Sequence, residues 1–166
     1  MKNALILQAK YNKISNQKMF ELLIQQTPQI LNKDYGLYYK SIIGTLLHIL
    51  RGEIEIFIKE FSKYAQQTPH NLETLIISIP REDAAEIHTL AKLCAQADEA
   101  ILQIIENTCD FQKEETLSFA NNISFHKSRL QLMLSILNHS THHRGEISAI
   151  LDTLKIPNDF NGMLGI

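Results

Sequence analysis

The sequence predicts an all-α protein, a four-helix bundle with long connections, and three observations lead there. The 166 residues include 23 Ile and 22 Leu but no Val, and Gly (6) and Pro (4) are scarce. Apolar residues recur at helical spacing over four stretches of about 24 to 30 residues. With 45% hydrophobic and 20% charged side chains the chain is long enough to bury a core, and residues 1–166 read as one domain without internal repeats.

Taken in order, the first helix spans about Asn3 to Gln26, with Leu5, Ala9, Ile14, Met19, Leu22, Leu23 and Ile24 at largely helical spacing, and stops before Pro28. Pro28, Asn32, Asp34 and Gly36 make residues 27–40 a connection with a short helical turn. The second helix runs from about Tyr39 to Tyr64, its stripe being Ile43, Leu46, Leu47, Leu50, Ile54, Phe57, Ile58 and Phe61. Residues 65–80, bounded by Pro69 and Pro80, form an ordered connection. The third helix spans about Arg81 to Thr108. The segment ETLSFANNISF, residues 115–125, alternates around Asn121-Asn122 and reads as a short hairpin or an extended crossover. The fourth helix begins near His126 and ends near Lys155, before Pro157.

Charge and composition narrow the function classes. Sixteen Lys and Arg against eighteen Asp and Glu give a net charge of −2 without a basic block, so nucleic-acid binding is not expected. No run of about 18 apolar residues predicts a membrane span, and the apolar stretch in MKNALILQAKYNK is shorter than a signal-peptide core. Cys94 and Cys109, read as lying on one helix, are about 22 Å apart there and cannot pair, which suits a reduced cytoplasm. Both read as packing residues.

Histidine carries the chemistry. In LNHSTHHRGEI, His139 and His143 are one turn apart on the inward stripe, while His142 is rotated about 100° from His143. Such an i, i+4 pair either holds a divalent ion or forms a buried polar pair satisfied by its neighbours; two ligands are too few for tight binding. His48 is the candidate third ligand. It points away from its own helix's apolar stripe, toward a side carrying Gly44, Thr45, Gly52 and Glu55, and is either a surface histidine or part of a pocket. His70, His88 and His126 show no partner pattern.

YNKISN, SIIGTLLHIL and LNHSTHHRGEISAILDTLKIP, in this order and spacing, make the chain resemble the DinB superfamily of bacterial four-helix-bundle metalloproteins. The likeness covers nearly the whole chain, and HHRG extends it to His142, Arg144 and Gly145. It implies a three-histidine site of His48, His139 and His143 for a divalent ion, Zn²⁺ or Ni²⁺ foremost and Fe²⁺ or Mn²⁺ as further candidates, with one position open for water or a thiolate. It also implies a homodimer. The expected activity is that of a metal-dependent enzyme, a thiol S-transferase or hydrolase, which activates a low-molecular-weight thiol or water against a small electrophilic substrate.

No Ser-His-Asp or Cys-His pattern competes, and no side chain is assigned a catalytic part. Asn12, Asn16, Glu55, Asn138, His142 and Glu146 are candidates to support the ligands. Of these Glu146, where relatives often carry Gln, is expected to face solvent. The absence of Trp from the second helix and the change to Glu146 motivate the alternative, a non-catalytic, metal-stabilised bundle with a stress-related or interaction role.

Overall fold

The computed structural model describes residues 1–69, 72–119, 122–160 and 162–165. The chain is mostly helical. Helix α1 covers Lys2–Leu23 and α2 Pro28–Asn32; α3, Ile42–Arg51, continues through a π-helical turn, Gly52–Ile58, into α4, Lys59–Phe61. Helix α5 is Leu72–Ile77 and α6 Ile87–Asn107; strands β1, Glu114–Ser118, and β2, Ser124–Ser128, precede α7, Arg129–Thr153.

Four long helical segments carry the core: α1 lies along α6 and α7, and the α3–α4 segment packs on the same two. Every residue of the stripe expected on the second helix, from Ile43 to Phe61, is buried. Burying each such Leu, Ile or Phe contributes on the order of 1.5–3 kcal/mol.

The structure corrects three expectations and bears out a fourth. The second helix is not a uniform α-helix, because the π-helical turn adds a residue to one turn and shifts the facing of everything that follows. The long third helix begins at Ile87, after a 3-10 turn at Glu82–Ala84, and ends at Asn107, so Cys109 lies beyond it, exposed, while Cys94 is buried. Of the two forms expected before the last helix the hairpin is the one present: Glu114–Ser118 and Ser124–Ser128 pair antiparallel, Glu114 facing Ser128 and Ser118 facing Ser124, so the mostly helical chain carries a small two-stranded sheet. His126 therefore stands in β2, bonded to Thr116 and Glu114, and α7 starts at Arg129. Asn121, expected at the hairpin tip, and His70 lie outside the described residues.

Local chemistry explains the helix ends. Ser41 caps α3 by accepting from Gly44 N at 3.0 Å, and Ser128 caps α7 by accepting from Gln131 N at 3.2 Å. Arg129 then ties the start of α7 to the hairpin and the preceding loop, donating to Glu115 Oε1 at 2.7 Å and to the Cys109 carbonyl at 2.9 Å. α7 ends with Lys155 in the left-handed region (φ 59°), followed by Pro157.

Gly44 lets the loop before α3 lie on the helix. A Cβ there would stand 2.2 Å from the Tyr39 carbonyl oxygen, a backbone atom with little freedom to yield. Gly145, in mid α7, has open space around it. Gly44→Ala is therefore expected to lower unfolding stability by about 1–3 kcal/mol. Gly145→Ala is expected to raise it by about 0.5–1 kcal/mol through helix propensity. Urea denaturation of both variants beside the parent checks the pair.

Candidate metal centre

α3 presents His48 and α7 presents His139 and His143, and the three rings meet edge to face. Their centroids are 4.6, 4.7 and 4.5 Å apart, and one ring nitrogen from each lies within 4.8 Å of the others. His48 Nε2 and His139 Nε2 are 2.7 Å apart. The approach depends on a second glycine: a Cβ on Gly52 would lie 3.1 Å from His139 Cε1 and Nδ1, so the bare backbone is what the His139 ring packs against.

Electrostatics keep two of the rings neutral. Burial first, then the charges of His143 and Arg51, pull His48 down to about 4; burial, His143 and His48 do the same to His139, also to about 4. Neutral imidazoles carry the lone pairs that a divalent cation requires. His143 Nδ1 lies 2.7 Å from Glu146 Oε2, an arrangement in which Nδ1–H donates to the carboxylate and Nε2 is left with its lone pair. Tyr39 closes the outer side, its ring stacked on His48 at 3.8 Å and edge-on to His143 at 5.7 Å. Three imidazole nitrogen donors converging in this way fit a borderline-soft transition metal better than Mg²⁺ or Ca²⁺.

The supporting residues are distributed differently from expectation. Glu146, expected in solvent, holds His143 and also approaches His142 Nε2 at 3.4 Å, because i, i+3 and i, i+4 partners share one helix face. His142 itself is exposed, as are Glu55 and Asn138, and neither of the latter two bonds a histidine of the cluster. Asn12 and Asn16 are fully buried but do not touch the histidines. They belong to a polar network in the core.

That network was not legible as a unit. Arg144 Nη1 donates to Asn12 Oδ1 at 2.5 Å and Asn16 Oδ1 at 3.0 Å, and Nη2 donates to Thr141 Oγ1 at 3.1 Å. The asparagine amides in turn donate to two acids: Asn12 to Glu53 Oε1 (2.8 Å) and Asp98 Oδ1 (3.1 Å), Asn16 to Asp98 Oδ1 (3.1 Å). Ser140 Oγ adds a bond to Glu53 Oε1 at 2.8 Å. Polar residues at inward positions of all four long segments were the signal that could have revealed it.

Two carboxylates facing one guanidinium leave one excess negative charge, which burial disfavours. Burial, and for Asp98 also the Glu53 charge, pushes both acids up, so the pair retains a proton to higher pH than free carboxylates do. Glu53, Cys94 and Asp98 also lie close enough to share a cation. Arg144 already supplies the positive charge there, and burial with the Asp98 charge pushes the Cys94 thiol up, so it stays protonated.

The sequence matches the model of the DinB family over residues 1–154. The chain belongs to the DinB family. No curated protein matches it. Among the described residues of this DinB-family chain, no helix is long and apolar enough to cross a membrane.

Carboxyls with raised folded-state pKa values favour folding while protonated, so this contribution declines as pH rises through those values. Asp98→Asn keeps an acceptor for Asn12 and Asn16 without the titration. The variant's stability is expected to fall less than the parent's between pH 5 and pH 8, measured by urea denaturation across that range. Arg144→Leu, which strands both acids, is expected to cost about 3–5 kcal/mol at neutral pH in the same assay.

Proposed function

We propose that this DinB-family chain is a divalent-metal protein whose ion is held by His48, His139 and His143, and that it acts as a metal-dependent thiol transferase or hydrolase on a small electrophile. The observation that carries the reading is the convergence of three imidazoles from α3 and α7 with a carboxylate, Glu146, on the far nitrogen of one. When bound, the ion would lower the pKa of a thiol or water at its open position. Zn²⁺ or Ni²⁺ suits the donors foremost, with Fe²⁺ or Mn²⁺ as further candidates.

The protein's own part is positional. Glu146 fixes the His143 tautomer, Gly52 admits the His139 ring, and Tyr39 packs over His48 and limits solvent on that side. No cysteine is needed as nucleophile, since Cys94 is buried as a thiol. Two free cysteines support a reducing, cytoplasmic setting, and the expected four-helix-bundle domain and homodimer belong to the same proposal.

Elemental analysis of untagged protein tests the proposal beside a variant with His48, His139 and His143 all replaced by Ala. About one equivalent of metal in the parent and none in the variant is expected, with thiol-transfer or hydrolytic turnover following the metal. Absence of metal from the parent after incubation with Zn²⁺ and Ni²⁺ would overturn it. Stoichiometric metal without turnover against any thiol or water reaction would favour the non-catalytic bundle.

A further inference from the structure

One cleft opens at the histidines and a second lies beside it. The inner one, about 350 Å³, is walled by His48, Gly52 and His139 on one side and by Ile56, Ile136 and Phe119 on the other. The outer one, about 390 Å³, shares Phe119 and Ile136 with it and continues past Phe125 and Leu132 to Lys127. Each lies within the size range of small-molecule sites, and the shared Phe119 and Ile136 set them side by side along α7.

The walls are more apolar than a hairpin surface requires. Phe119 is 37% and Phe125 48% exposed, in a hairpin whose β2 residues face largely outward, and their rings meet edge to face at 6.0 Å. Isolated exposed apolar residues are ordinary, but a contiguous pair opening onto a polar cluster marks a binding surface. Arg51 and Glu55 stand together on the rim of the inner cleft, one charge of each sign, so the mouth carries no net charge to select an ion. Among the described residues, Lys127 is the only charged one lining the outer cleft.

We propose that the two clefts form one path that binds the uncharged apolar tail of a small substrate whose metal-binding head reaches His48 and His139. The tail lies on Ile56, Ile136 and Phe119 first and passes Phe125 when longer than the inner cleft. The proposal rests on the metal reading above and adds the substrate class: a molecule with a polar, metal-seeking end and a hydrocarbon or aromatic body. Selectivity then comes from tail length and shape, because the histidine end treats all heads of one chemistry alike.

The test uses the zinc-loaded protein and alkyl hydroxamates from acetohydroxamate to octanohydroxamate, with Kd measured by calorimetric titration. Each methylene is expected to lower Kd about threefold to fourfold while it remains in the cleft. Two variants localise the tail, with acetohydroxamate affinity as each variant's own reference. Phe119→Ser should remove the gain across the whole series, whereas Phe125→Ser should remove it only for the longer members.

A Kd independent of chain length overturns the cleft assignment whether or not the head binds. Binding of acetohydroxamate in that case leaves the metal reading standing. Length-dependent binding of the longer members without any binding of acetohydroxamate retains the cleft and overturns the open metal position. A shift of Phe119→Ser from dimer to monomer in sedimentation, with no length dependence in the parent, assigns the patch to a second copy of the chain and overturns the proposal.

Discussion

A buried guanidinium sets the terms for the rest of the structure. Arg144 is fully shielded from solvent, and an unpaired charge in such a place would cost several kcal/mol, so its partners are obligatory and come from elsewhere in the fold. Asn12 and Asn16 arrive from α1, Glu53 from the π-helical turn and Asp98 from α6. Because Arg144 and Ser140 must face this network, the rotation of α7 about its axis is fixed. His139 and His143, each one residue earlier, are then carried together to the side where His48 waits.

The same constraint links core to site through adjacent residues. Gly52 receives His139 and Glu53 receives Ser140, so two neighbouring positions on one segment touch two neighbouring positions on α7. Size governs the first contact and hydrogen bonding the second. Neither residue can be exchanged for a larger or apolar one without disturbing both the packing of the helices and the approach of the rings.

Much of this was readable from residue spacing. The apolar stripes of the long helices, the hairpin before α7, the short turn at Pro28 and the outward aim of His48 from its own stripe follow from periodicity and breakers, which report on burial directly. Glu146 was misplaced because a polar residue on a helix shows no sign of which neighbour it will meet; only its spacing from His143 hinted at a bond. Glu53 and Asp98 were hidden because single acids next to apolar stripes look like boundary positions. Tyr39 was hidden because its contact with His48 is made by a loop whose path Gly44 sets.

The π-helical turn separates two tasks that a regular helix would lock together. Upstream of it, α3 orients His48 toward α7; at its end and beyond, Phe57 and Phe61 pack into the core. In an unbroken α-helix each residue's direction is set by its distance from every other at about 100° per step. The extra residue between Gly52 and Ile58 works as a phase offset, so the two halves answer to different neighbours. A single-residue deletion there would leave composition and hydrophobic content almost untouched while turning one half against the other, so the stretch is constrained in its length as well as in the side chains it presents.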